Sequence, residues 1–469
     1  MKFRNIFAVA LAGLAFTACS NDDVPNTGPE NGEKAYVGLN LTLPAGSFSR
    51  AADATADATE TKVTSVSVYG QAQSPGAPIR KLTLSKDLTE SDFTVGTNTY
   101  TLKEGSAIKV TGKVDSKMNI FVVLNNTSDL SPNLHGVSGT PTAFGADIKS
   151  TAKANEFLMS NAAMTEATLK ATAAEAVAQG TIADVEVERA VAKILVKAST
   201  VGTLDLTNDF EDTGKTGKFQ GSTIRWAVGN SPKSLYVRKY NDGGIIKTPN
   251  YTYNSGDSYT QYSAAYDVLA DATGVVTATP DIEIMPSTST STTGFDGGKG
   301  YVGYSNENIH DTYVNGNTTN VLIAAAFIPS TTYANLTGIG NSMTGTDANV
   351  TAPATFYYHN PSGKYVTEAA YTAYIAANTS EAGSFVGPYK DGKCYYQIPV
   401  WDITSDDTKA KGTERNTFYT LSVKSLSAPG KPTVPDVDAP VEDPDAFIGV
   451  DITIAPWNAA SMGNDVELQ

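Results

Sequence analysis

Ala35-Tyr36-Val37-Gly38-Leu39-Asn40-Leu41-Thr42-Leu43 alternates cleanly, with Val37, Leu39, Leu41 and Leu43 on one face and Tyr36, Gly38, Asn40 and Thr42 on the other. A repeat of two, sustained over this stretch, is the mark of a β-strand with one side buried. A matching run stands near the far end of the chain: Ile448, Val450, Ile452 and Ile454 on one face, Gly449, Asp451, Thr453 and Ala455 on the other.

Between the two runs, Val, Thr and Tyr recur in short segments punctuated by Gly, Pro, Asn and Asp, which predicts an all-β chain of the β-sandwich kind. The segments are Val63 to Tyr69, Thr99 to Leu102, Ala107 to Thr111, Asn119 to Leu124 and Val185 to Ala198. A second group follows Gly202: Ser222 to Val228, Leu235 to Arg238, Thr319 to Ile328 and Thr417 to Leu426. An Ala-rich interlude from about Ala152 to Gln179, without Pro or internal Gly, reads as helical, and a shorter helix is expected over Lys364 to Ala377. Ser287 to Gly300 reads as an exposed loop. No fixed-period repeat is present, so two unlike sandwiches are expected rather than a solenoid or propeller. The Pro-rich run from Pro429 to Asp445 can form neither helix nor central strand and is expected to be an extended arm leading into the last strand.

The composition narrows the function. The chain has 469 residues, 34 basic against 49 acidic, and a formal charge of −15, which argues against a phosphate-backbone partner and hence against nucleic acid. Its two cysteines, Cys19 and Cys394, permit no disulfide framework once the first 19 residues are read as a targeting segment. His135, His310 and His359 are scattered and share no motif.

Lys2 and Arg4 precede an apolar run from Ile6 to Ala18, too short to span a bilayer and of the length of a secretory h-region. It ends in Phe16-Thr17-Ala18-Cys19, which resembles a bacterial lipobox, so acylation of Cys19 is expected; an ordinary signal peptide is the alternative. Residues 20–34 read as a polar leader. Beyond the leading strand, Pro44-Ala45-Gly46-Ser47-Phe48-Ser49-Arg50 and the small-residue run from Ala51 to Glu60 form a loop with one Arg, a good protease target at Arg50–Ala51.

The two alternating strands could occupy one slot. If the chain is cut at Arg50, the first strand can leave, exposing a sheet edge and an unfilled core. The terminal strand of a neighbouring subunit could fill the vacancy by strand addition, its four aliphatics contributing roughly 6 to 12 kcal/mol gross. Such a head-to-tail joint does not close on itself and propagates into a filament. The pattern is equally compatible with each end completing a sheet of its own molecule.

These residues, taken in order, resemble the Bacteroidales fimbrillins (type V pilins), and among them the shaft subunits of minor (short) fimbriae. The likeness is carried by the lipobox ending at Cys19, Lys34-Ala35-Tyr36 with the strand to Leu43, and Ser49-Arg50-Ala51. It continues through Val63 to Tyr69, Ile120-Phe121-Val122-Val123-Leu124-Asn125, Phe157-Leu158-Met159-Ser160-Asn161, Glu188-Arg189-Ala190-Val191-Ala192-Lys193-Ile194, Glu307-Asn308, Arg415-Asn416-Thr417-Phe418-Tyr419 and Pro456-Trp457. The resemblance implies two transthyretin-like sandwiches, over 51–200 and 201–427, joined soon after Ala198, with an arm and donor strand over 428–469. It also implies a lipidated outer-membrane precursor, cleavage after Arg50 by an Arg-specific extracellular protease, and polymerisation by donor-strand exchange into a cell-surface fimbrium that supports adhesion and biofilm formation. Lys34 or Lys62 could also be cut. The implied partners are identical or related subunits, anchor and tip fimbrial proteins, the outer membrane through the precursor's lipid, and host or bacterial surface receptors. Having both Arg50 and the Ile448 to Ile454 stripe favours a shaft subunit; a tip adhesin or a surface glycan-binding lipoprotein is the alternative.

Other chemistry finds little purchase. Asp402, Asp406, Asp407 and Glu414, and Asp436, Asp438, Glu442, Asp443 and Asp445, lack calcium-loop spacing and read as solvated loop charge. Gly294, Gly297, Gly298 and Gly300 do not follow a strand or open a helix, as a nucleotide loop requires. Trp226, Trp401 and Trp457 could line a sugar platform but read as packing residues. Arg189 and Lys193 read as one exposed strand face. No catalytic set, cofactor or metal site is expected, and the chain is not read as an enzyme.

Overall fold

The computed structural model describes residues 33–43, 60–74, 76–83, 87–136, 141–146, 148–153, 155–161, 163–198, 217–219, 225–249, 301–309, 312–348, 350–401, 412–426, 428–433 and 448–456. They are predominantly β-strand with a few short helices, as the alternation predicted. The chain divides into two compact units. The first comprises the described residues within 1–43, 63–140 and 160–187, the second those within 44–62, 141–159 and 188–469.

The first unit is organised by one sheet with the order Arg80–Lys81, Val66–Ala72, Lys117–Leu124, Met159–Asn161, Ala183–Arg189, Leu39–Thr42, Thr99–Leu102 and Phe93–Val95. Thr165–Thr168 pairs antiparallel with Lys117–Leu124, off this path. Val66, Val68, Tyr69, Ile120, Phe121, Val122 and Val123 are buried, so the centre of the sheet is apolar on both sides. The Tyr69 hydroxyl donates to the Ser128 carbonyl at 3.1 Å and accepts from the Leu130 amide at 3.1 Å, tying a loop to the core.

In the second unit Val191–Ala198 lies antiparallel to Tyr301–Asn306 and parallel to Thr417–Leu426, which in turn pairs with Ile448–Pro456. Asn320–Pro329, buried along its whole length, pairs with Gly217–Phe219, Arg225–Gly229 and Lys393–Pro399. A five-stranded sheet of residues within 332–389 carries the helix Glu368–Ala377. Phe327 joins these layers, with its ring 5.1 Å from Phe219 and 5.5 Å from Tyr365, while Phe356 stacks on Tyr389 at 4.6 Å.

Three expectations change. The interlude over 152–179 is not one helix: among its described residues Ala173–Ala176 is the helical stretch, preceded by the strands Met159–Asn161 and Thr165–Thr168, and a short helix Ile148–Thr151 lies just before it. Phe157, Leu158 and Met159 are buried, and the Asn161 side chain accepts from the Val122 amide and donates to the Ile120 carbonyl. Sheet burial thus outweighs alanine's modest helix preference. The short helix begins only at Glu368, because Lys364–Thr367 is a strand and Thr367 caps the helix by accepting from the Ala370 amide at 3.1 Å. Arg189 and Lys193 are buried, not an exposed face, because both reach Glu60.

Candidate functional site

The leading segment is held on every side within the first unit. Lys34–Val37 runs antiparallel to Ile108–Thr111, and Tyr36 exchanges two backbone hydrogen bonds with Lys170 at 2.8 and 3.0 Å. After Gly38 the segment changes partners: Leu39–Thr42 lies parallel to Ala183–Glu186 on one side and antiparallel to Thr99–Thr101 on the other. Asn40 bridges both neighbours, its amide donating to Asp184 at 2.8 Å and its oxygen accepting from the Thr101 hydroxyl at 2.9 Å.

Val37, Leu39, Leu41 and Leu43 are all buried, at 1, 0, 0 and 5% exposure, so the stripe quoted from the sequence is a core stripe. Ala35, one step earlier on the same face, joins them. The slot is interior to its sheet. Loss of the segment would part Ala183–Arg189 from the hairpin of Phe93–Val95 and Thr99–Leu102, rather than merely bare an edge.

The tail strand Ile448–Pro456 is placed differently. Among the described residues it lies at the edge of a sheet in the second unit, paired antiparallel with Thr417–Leu426, from Thr417 opposite Pro456 to Leu426 opposite Ile448. The ladder shifts register between Val423 and Ser425. Ile452 packs against the second unit's core, whereas Ile454 is 38% exposed. The leading stripe is therefore sealed, whereas the trailing strand presents Ile452 to the core and Ile454 to solvent.

Buried charge fixes the strand on which the tail docks. Arg415, two residues before that strand, donates from Nε to Glu307 Oε2 at 3.1 Å and from a terminal nitrogen to the Val237 carbonyl at 3.0 Å. Beside it, Lys239 contacts Glu414 at 2.8 Å and Glu188 at 3.5 Å. Burial pushes the Glu188 carboxyl up to about 7, against the pull of Arg415 and Lys239. Burial alone would lower Lys239, but Glu188, Glu414 and Glu307 together hold its ammonium above the ordinary value. At the start of the Pro-rich arm, Lys431 exchanges two backbone hydrogen bonds with Tyr395, each 2.9 Å. The Gly430 carbonyl accepts from the Tyr389 hydroxyl at 3.1 Å.

Other residues singled out from the sequence fall as follows. Cys19, Arg50 and Ala51 lie outside the described residues, as do His310, Trp457, Asp402, Asp406, Asp407, the acidic residues from Asp436 to Asp445 and the glycines from Gly294 to Gly300. Trp401 is buried edge-on to Tyr313 at 5.3 Å, a packing role. Cys394 is fully buried, and burial pushes its thiol up to about 12. His359 is buried, its Nδ1 paired with Ser362 Oγ at 2.7 Å, and burial lowers its basicity. Among the described residues no group of His, Cys, Asp and Glu is placed to hold a metal ion, and no helix is long and apolar enough to cross a membrane. The Glu60, Glu307 and Arg415 contacts escaped sequence reasoning because their partners lie more than a hundred positions away.

Residues 388–462 match the family model described as major fimbrial subunit protein type IV, Fimbrillin, C-terminal. The matched stretch includes Lys393–Pro399, the docking strand Thr417–Leu426 and the tail strand. Solved structures that match the chain include a candidate cell-adhesion protein of Parabacteroides distasonis, at 14% identity and a TM-score of 0.45, covering 91% of this chain and all of that one. A fimbrilin (FimA) of Porphyromonas gingivalis W83 has 15% identity and a TM-score of 0.41, covering 90% and 98%. The tip fimbrial protein Mfa3 of Porphyromonas gingivalis has 12% identity and a TM-score of 0.33, covering 90% and 100%. The chain is thus similar to the Bacteroidales fimbrillins, and the part that carries the family match is the one ending in the tail strand and the strand on which it docks.

Proposed function

We propose that the chain is a structural subunit of a cell-surface fimbrium. It is exported as a precursor lipidated at Cys19, cleaved between Arg50 and Ala51 by an Arg-specific extracellular protease, and polymerised when a neighbour's tail takes the place of the leading strand. The observation that carries this reading is the contrast between two like stripes. Val37 to Leu43 fills an interior slot upstream of Arg50, and Ile448 to Ile454 lies at a sheet edge with Ile454 exposed. Once residues 1–50 are gone, the slot has lost its apolar filling and the hydrogen-bond partners of two flanking strands, a vacancy costly enough to drive capture of a strand of the same pattern. The family match supports association with other fimbrial subunits. The mature chain loses four basic and four acidic residues with its first 50 and keeps the charge of −15, which favours a colloidally stable filament.

The test is limited digestion of the purified precursor with an Arg-specific protease, followed by electron microscopy and electrophoresis without boiling. A new amino terminus at Ala51 and a ladder of multimers are expected, and Arg50→Ala abolishes both. Deletion of residues 448–469 should leave a folded subunit that cannot elongate a filament. Filaments of normal length from that truncation refute the reading.

A further inference from the structure

Lys62 raises a question that the proposed processing leaves open. Its side chain is exposed and, like Arg50, meets the charge preference of a trypsin-like protease, yet a cut after Lys62 would remove residues 51–62 along with the leading strand. We propose that Glu60 sets the downstream limit of processing, its buried clamp keeping the bond after Lys62 out of a protease cleft.

Glu60 is 2% exposed. Its Oε1 accepts from Lys193 Nζ at 2.7 Å and from the Tyr304 hydroxyl at 2.6 Å, and its backbone carbonyl accepts from Arg189 Nε at 3.1 Å. The three donors are themselves fixed in the second unit. Arg189 and Lys193 lie on strands at 0 and 8% exposure, and the Tyr304 ring packs edge-on to Phe157 at 5.2 Å. Beyond Lys62, Val63 is buried in the first unit, and Thr64 donates to Asn125 Oδ1 from both its amide, at 2.8 Å, and its hydroxyl, at 3.1 Å.

A protease needs several residues of extended chain on both sides of the bond it cuts, so a held segment is cleaved only from a locally opened state. Opening at Lys62 would draw Glu60 from its buried site, breaking the ion pair with Lys193, the Tyr304 hydrogen bond and the Arg189 bond to its carbonyl, a strongly unfavourable change. A subunit cut after Lys62 would have lost Glu60 permanently, and with it the carboxylate that pairs with Lys193.

This inference rests on the processing proposed above, but it is tested separately. The full-length precursor is digested with trypsin, which accepts both Lys and Arg, and new amino termini are followed by mass spectrometry beside a synthetic peptide of residues 56–68. The Val63 terminus is expected about 100-fold more slowly from the folded protein than from the peptide. Glu60→Ala should raise the rate at Lys62 toward that of the peptide, and Glu60→Gln, which keeps an acceptor for Tyr304 without the charge, should raise it less. Thermal melts show whether each variant is folded; should Glu60→Ala not fold, the Gln variant and the comparison with the peptide decide. Release of Val63 from wild type as fast as from the peptide overturns the proposal, and so does an unchanged rate in a folded Glu60 variant. Protection at Lys62 without cleavage at Arg50 would refute the processing scheme while leaving the Glu60 clamp in place.

Discussion

Gly38 and Ala176 approach so closely that a Cβ on the glycine would lie 2.2 Å from the Ala176 carbonyl oxygen. This is the point where the leading segment passes from Ile108–Thr111 to its slot beside Ala183–Glu186, and only a residue without a side chain fits there. Gly38→Val should therefore lower the melting temperature of the precursor, by an overpacking cost of roughly 1 to 3 kcal/mol. In the polymer formed after cleavage at Arg50 the position is gone and the substitution should leave stability unchanged. Calorimetry of both forms checks this, and an equal loss in both contradicts a removable leading strand.

Leu41 offers a complementary measurement. It is fully buried, so Leu41→Ala should cost the precursor about 2 to 5 kcal/mol, read as a lower urea midpoint with unchanged slope. A weakened plug should also leave faster after cleavage, so multimers are expected to appear sooner than in wild type.

Ile454 and Ile452 separate docking from donation. Ile454 is the more exposed, so Ile454→Lys should change monomer stability by less than about 1 kcal/mol, while Ile452→Lys costs more. Both should stop elongation, because either places a charge in an apolar slot. Full-length filaments from Ile454→Lys count against use of this stripe as a donor.

Arg415 and Glu307 form an ion pair with side chains 0 and 1% exposed. Arg415→Met alone should destabilise the second unit by about 3 to 5 kcal/mol, because Glu307 stays buried without its partner. The double variant Arg415→Met, Glu307→Leu should recover much of that loss. Chemical denaturation of the four proteins in the cycle gives the coupling directly.

Glu188 adds a pH dependence. Burial raises its carboxyl from the ordinary 4.5 to about 7, so in this interval the folded protein holds a proton that the unfolded chain releases. The contribution is fully present below 4.5 and is lost as the pH rises through about 7, a change on the order of 3 kcal/mol. Glu188→Gln should flatten the stability profile across that window. A variant profile with the wild-type slope would place the titration elsewhere.

The strands were legible because the side-chain period of a strand is local. Val37 to Leu43 and Ile448 to Ile454 announce themselves by alternation, and Asn320–Pro329 by an almost unbroken apolar run. The interlude over 152–179 departs from its local pattern for the reverse reason. Alanine's helix preference is local and weak, whereas Met159–Asn161 is held by Val122 and Ile120 on a strand far away in sequence. Arg189 and Lys193 failed in the same way, since nothing nearby in the chain shows that Glu60 waits for them.

The amino-acid order by itself determined the all-β character and the two matching aliphatic stripes, and it named the candidate cleavage and lipidation residues. Those properties follow from spacing and composition, which need no knowledge of distant partners. Only the tertiary structure decided that one stripe is an interior filling and the other an edge, and that Glu60, Glu188, Glu307 and Arg415 are buried charges. Burial and pairing belong to contacts between residues some fifty to more than a hundred positions apart, and these exist only once the chain has folded.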